Sequence, residues 1–386
     1  MCFSERIIDV KSSETLAITS RAKAMRSSGE DVVILAAGEP DFDTPERVKE
    51  AAYEAIRSGQ TKYTPSGGTK VLKQAICSKL KRDNALDYNI DEIVVSNGAK
   101  HSLYNILQVI CNPGDEILII SPYWLSYPEM TKLAGAQPRI IKTSIDNGFK
   151  VRPEDIERAC TEKTKAVIIN SPSNPAGVVY EKEELEKIAE VCVNKGIIII
   201  SDEIYEMIIF DDKKHFSIAN VSHEARALTI VVNGLSKSHS MTGWRIGYMA
   251  AEEKIAKLVD TLQSHSTSNP CSISQAAACR ALSPDLDEEI ERNRIGFKNR
   301  RDFLMDCLAG EDKIKPFKPT GSFYLFCDVS ACALDSFSFA QKLLEEKKVA
   351  VIPGGPFGED GFIRISFAAD KKTIKEGIDR IKEWIR

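Results

Sequence analysis

Lys237 stands among groups suited to covalent work on a carbonyl compound. Ser236 and Ser238 flank it, and Arg245 follows in the same glycine-punctuated turn. A lysine amine condenses with an aldehyde only when it is deprotonated, and burial beside a guanidinium favours that neutral form. The run before it, residues 228–232, is apolar and mostly β-branched, which predicts a strand ending at the lysine turn. A lone lysine in such a place is more often a solvated surface residue. Three other side chains share the placement, however. Trp124 follows the aliphatic run 117–120, Asn174 follows 166–169, and Asp202 follows 197–200. Each has a plain reading of its own: a buried aromatic, a turn former before proline, a turn cap. Their convergence is the stronger signal, because open parallel sheets bind ligands beyond the carboxyl ends of their strands.

Positioning these groups requires an alternation of buried strands and amphipathic helices, and the chain supplies it. Helical periodicity covers residues 13–28, 70–83, a segment holding Leu103, Ile106, Leu107 and Ile110, and 182–194, which closes at Gly196. Thr44 and Pro45 read as the cap and first residue of a helix that ends at Gly59. The expected fold is α/β, a mainly parallel central sheet with helices on both faces. A short strand at 93–95 leads into Ser96-Asn97-Gly98-Ala99-Lys100 at a helix start, where free N–H groups and the helix dipole favour an anion such as a phosphate. Beyond residue 285 the texture changes to a long charged helix (285–308), short apolar runs at 323–327, 349–352 and 362–367, and a final amphipathic helix. This predicts a smaller α+β domain. The division expected is 1–43 as an arm that joins the small domain, 44–284 as the large domain and 285–386 as the small one.

With 386 residues the chain suits two domains. Its 52 Lys and Arg against 56 Asp and Glu leave no basic surplus for nucleic acid. No apolar run is long enough to span a membrane, and the first residues lack a secretory h-region. Ten cysteines without a CxxC pair read as reduced thiols, and the five histidines share no metal-ligand spacing. No metal and no membrane or nucleic-acid partner is expected, and a cytoplasmic location is.

Seven segments in order carry a resemblance: Ala-Gly-Glu-Pro-Asp-Phe (37–42), Lys-Tyr-Thr (62–64), Ser-Pro-Tyr-Trp (121–124), Asn-Ser-Pro-Ser-Asn-Pro-Ala-Gly (170–177), Ser-Asp-Glu-Ile-Tyr (201–205), Ser-Lys…Gly-Trp-Arg-Ile-Gly (236–247) and Phe-Ile-Arg-Ile-Ser (362–366). The chain resembles the class I aminotransferases of the pyridoxal-phosphate fold-type I group, and within them the bacterial aspartate aminotransferases, some of which act on prephenate. The usual Asn-Pro-Thr-Gly is Asn-Pro-Ala-Gly here. The resemblance implies transfer of an amino group from L-aspartate to 2-oxoglutarate by a ping-pong mechanism, with pyridoxal 5′-phosphate held as a Schiff base on Lys237. It implies Asp202 at the cofactor's ring nitrogen and Tyr205 and Asn174 at its phenolic oxygen. Trp124 would lie on the ring, and Ser236, Arg245 and the N–H groups of Gly98, Ala99 and Lys100 would lie on the phosphate. Tyr63 would reach the phosphate of a partner subunit, which makes the enzyme a homodimer with shared sites. Arg364, Gly38 and Asn174 would receive the substrate carboxylate, with Trp124 beside it. Lys11 or Lys100 would receive a distal carboxylate, and Arg21 or Arg294 are further cations for that role. The neighbouring alternatives are a prephenate or aromatic aminotransferase and a C–S β-lyase. A DNA-binding regulator on this fold has no spare length here.

Overall fold

The computed structural model describes residues 4–12 and 14–386. Seven strands form the main sheet in the order 93–96, 247–250, 229–234, 198–202, 164–170, 116–120, 137–141. The five from Thr229–Gly234 to Gln137–Ile141 run parallel. Gly247–Ala250 is antiparallel to both its neighbours. Strand 166–170 pairs with 198–202 in a register that sets Asn170 against Asp202. The two strands therefore end level, and the loops carrying Asn174 and Tyr205 leave from the same edge.

Strands 229–234 and 247–250 are buried along their whole length, as in a sheet covered on both faces. Helices Lys182–Lys195 and Ala99–Ile110 lay their apolar stripes on it. A second sheet of four antiparallel strands, ordered 352–353, 362–366, 324–328, 315–317, lies in the C-terminal part. Val33–Ile34 pairs in parallel with Val349–Ala350 and so ties the early chain to this region. One core joins the two parts. Ile204, Tyr205, Ile208 and Phe210, just past the end of strand 198–202, pack with Phe297, Leu304, Phe323 and Ile378 of the C-terminal elements.

Several expected boundaries move. Leu228 closes the short helix His223–Leu228, so the strand before the lysine turn begins at Thr229. Pro45, not Thr44, is the cap position of helix Glu46–Arg57. Thr44 instead donates its hydroxyl to the Ser240 carbonyl (2.7 Å) and accepts from Trp244 Nε1 (3.0 Å), which pins the turn after Lys237. The first long helix is Glu14–Ser27, and Ser13 lies outside the described residues. The 349–352 run splits into two short strands in different sheets. No helix among the described residues is long and apolar enough to cross a membrane.

Candidate active site

A cavity of about 420 Å³ opens at the carboxyl edge of the main sheet. Lys237, Asp202, Tyr205, Asn174, Trp124, Ser236, Arg245, Arg364, Gly38, Ala99 and Lys100 all line it. Lys11 and Tyr63 do not. Lys11 is exposed and donates its backbone N–H to the Glu129 carboxylate (2.9 Å), while Tyr63 is 91% exposed. Arg21 pairs with Glu345, and Arg294 with Glu291 and the Ile209 carbonyl, so both are spent away from the cavity.

Lys237 is half-buried and donates to the Gly38 carbonyl at 2.6 Å. Burial, then the Arg364 and Arg245 charges, lower its pKa to about 8, with Glu39 and Asp202 opposing. Asp202 is buried at the end of its strand. Burial pushes its carboxyl up to about 6, against hydrogen bonds from the Tyr127 hydroxyl (2.6 Å) and the Ile204 N–H (3.3 Å). The next residue, Glu203, points away from the cavity. It accepts from the Ser201 and Ser217 hydroxyls and lies 2.9 Å from His215 Nε2. Glu206 meets Lys79 and Asn84. This buried network anchors the turn that aims Tyr205.

Arg364 is buried on strand Phe362–Ser366. Its Nη1 donates to Asn174 Oδ1 (2.9 Å) and its Nη2 to the Ala36 carbonyl (3.2 Å). Its Nε has no partner among the described residues, an unusual condition for a buried guanidinium. A carboxylate entering the cavity would supply the missing acceptor. The Asn174-Pro175 peptide is cis.

The residues also fit a phosphate-bearing aldehyde cofactor. Helix Ala99–Ile110 starts at Gly98, whose φ of +88° suits glycine and where a Cβ would strike the Arg245 guanidinium. The Arg245 guanidinium donates to the Thr242 and Asn97 carbonyls, which hold it against that helix start. Ser236 is buried on the cavity wall. A hydroxyl, a guanidinium and a helix N-terminus thus border one cavity, a set of groups that suits an anion. Trp124 offers an aromatic face, and Lys100 Nζ lies 4.7 Å from its ring centroid. Burial and then Arg245 lower the Lys100 pKa.

Comparison with known proteins accords with this geometry. The profile of the family described as Aminotransferase class I and II matches residues 30–381. The chain belongs to that family. Among its relatives, the aspartate aminotransferase of Bacillus sp. (strain YM-2) is 49% identical over 99% of both chains. One from Aquifex aeolicus, named "Probable aspartate/prephenate aminotransferase", is 46% identical over 98% of both. The solved aspartate aminotransferase of Thermus thermophilus with maleate superposes with a TM-score of 0.96 at 40% identity, covering 99% of each chain.

In this aminotransferase the structure adds residues that pattern reading did not single out. Tyr127 reaches Asp202, and Tyr324, Lys23, Glu39 and Thr242 line the cavity. Tyr127 lies three residues after Trp124 at a helix start, a spacing that sets neighbours on one face, and the two rings meet edge to face at 5.4 Å. That spacing was the available signal. Tyr324 opens a strand that is apolar up to Asp328 at its end, and nothing in the sequence marks the tyrosine as polar in function.

Proposed function

We propose that this aminotransferase uses pyridoxal phosphate to pass the amino group of L-aspartate to 2-oxoglutarate in two half-reactions. The observation that carries the reading is the meeting, in one cavity, of the Lys237 amine with its lowered pKa, the Asp202 carboxylate and the Arg364 guanidinium, whose buried Nε is unpartnered among the described residues. When bound, the cofactor supplies an electron sink for charge that develops at the substrate Cα. Asp202 holds a proton on the ring nitrogen, and Tyr205 with Asn174 Nδ2 donates to the phenolic oxygen. Trp124 covers the ring. Ser236, Arg245 and the N–H groups at 98–100 take the phosphate, with Tyr63 from a second copy of the chain completing it. The 91% exposure of Tyr63 supports such a partner, since little among the described residues of its own chain covers that ring.

Arg364 forks onto the substrate α-carboxylate beside Gly38 and fixes the direction of the Cα–H bond. The Lys237 amine would remove that proton and deliver it elsewhere as a general base and acid. A dicarboxylic substrate needs a second cation. Lys100 lines the cavity and is the candidate, with Lys23 behind it. Lys11 is withdrawn from this role because it lies outside the cavity. The names of the relatives favour aspartate. Ile34, Leu103 and Leu125 give the cavity an apolar wall as well, which favours a second, ring-bearing substrate such as prephenate.

The test is a half-reaction. The loaded protein is mixed with L-aspartate and no acceptor, and its visible band is followed. Bleaching that 2-oxoglutarate reverses supports the reading, and Lys237→Ala abolishes both changes. Bleaching by aromatic amino acids alone would remove aspartate, and ammonia with pyruvate released from cystathionine would move the enzyme to the lyases.

A further inference from the structure

Tyr324 opens the strand Tyr324–Asp328, which runs antiparallel to the strand of Arg364. The register sets Tyr324 against Ser366 and Phe326 against Arg364, so Tyr324 and Arg364 are diagonal neighbours on one face. The Arg364 guanidinium carbon lies 4.1 Å from the Tyr324 ring centroid. At the other end of the ring, the Tyr324 hydroxyl lies 3.1 Å from the Tyr205 hydroxyl, and both side chains are buried. Among the described residues this is the only hydrogen-bond partner of either hydroxyl.

A hydroxyl has one proton to give. If Tyr205 gave its proton to Tyr324, it would have none for an acceptor in the cavity. The Tyr324 hydroxyl has no other acceptor in reach among the described residues. Tyr205 lines the cavity and faces a second one when the cofactor is bound. The arrangement that satisfies both is directional: Tyr324 donates to Tyr205, and Tyr205 donates inward. A cation over the Tyr324 ring draws electron density from it and strengthens the first donation, and each bond in such a chain strengthens the next.

We propose that Tyr324 is a positioning residue of this aminotransferase: its hydroxyl turns the Tyr205 proton toward the cofactor oxygen, while its ring is held by Arg364. The inference rests on the reading of Lys237 and pyridoxal phosphate given above. A hydrogen bond from Tyr205 draws charge from the cofactor's phenolic oxygen, which lowers the proton affinity of the nearby lysine-bound nitrogen. Loss of the Tyr324 hydroxyl weakens that bond and raises the affinity.

The experiment is a pH titration of the visible band of the loaded enzyme, with no substrate. Tyr324→Phe keeps both ring contacts and removes one oxygen. Its midpoint is expected to rise by about half to one pH unit, the size of one ordinary hydrogen bond. Tyr205→Phe is expected to raise it further, and Tyr205→Phe/Tyr324→Phe to match Tyr205→Phe alone, since Tyr324 acts through Tyr205. Tyr324→His, which restores a donor, is expected to move the midpoint back toward the unmodified value, and serves alone if the Phe variant does not fold. An unshifted midpoint in a folded Tyr324→Phe protein, or additive shifts in the double variant, overturns the proposal while leaving the cofactor reading intact. Absence of any pH-dependent band in the unmodified protein overturns both.

Discussion

Burial moves Lys237 and Asp202 in opposite directions on the pH scale. It lowers the amine to about 8 and raises the carboxyl to about 6, because in both cases it disfavours the charged form. The amine benefits, since only its neutral form attacks an aldehyde. The carboxyl must resist, and the Tyr127 hydroxyl at 2.6 Å stabilises its charged state. The capture of pyridoxal phosphate by cofactor-free protein should therefore rise with pH and level off above about 8. Below that point the rate should fall roughly tenfold per unit, as the neutral fraction does. Stopped-flow absorbance checks this, and a flat rate between about pH 6 and 9 would contradict the assignment of Lys237.

At the scale of elements, helix Asp287–Leu308 is fastened across the molecule by arginines: Arg294 to the Ile209 carbonyl, Arg300 to Asp41 and, most deeply, Arg301. Arg301 is buried and forks onto Asp211 with two bonds of 2.7 Å, while also donating to the Pro319 carbonyl. Its hydrogen bonds hold the Asp211 carboxyl down at about 2. A depressed carboxyl stabilises fully near neutrality and loses that contribution as the pH falls from about 4 towards 2. Arg301→Ala is expected to cost about 3 kcal/mol, because it removes a buried side chain and leaves the Asp211 carboxylate only Lys318, at 3.2 Å, as an ion-pair partner. An unchanged urea midpoint at neutral pH would refute this. Such cross-ties were not legible in the sequence, where Arg301 looks like one charge among many in a polar helix. The strands were legible, because aliphatic runs such as 117–120 and 166–169 have few other uses, and their ends predicted the edge where Trp124, Asn174, Asp202 and Lys237 meet. Strand Gln137–Ile141 escaped notice because it lies at the sheet edge and carries Pro138 and Arg139. Lys11, expected from the resemblance, lies outside this cavity, with its N–H on Glu129; pattern alone does not say which way a short arm runs over the surface.

At the scale of the whole molecule, Tyr53, Ile56, Tyr63 and Val71 are large apolar or aromatic side chains more than half exposed within one stretch of the early chain. Such a grouping is what a second copy would cover. If Tyr63 serves the partner's site, mixing Tyr63→Phe with Lys237→Ala protein should create hybrid dimers in which one site is fully native. Equal mixing should then restore about a quarter of the unmodified activity, since about half the dimers are hybrids with one good site each. Activity no higher than that of the Tyr63→Phe component would mean the sites are independent. The parallel pairing of Val33–Ile34 with Val349–Ala350 has a consequence for synthesis. The strand that leads to Gly38 has no partner until residue 350 has left the ribosome, and Arg364 comes later still. A nascent chain thus carries its lysine long before it carries the means to use it.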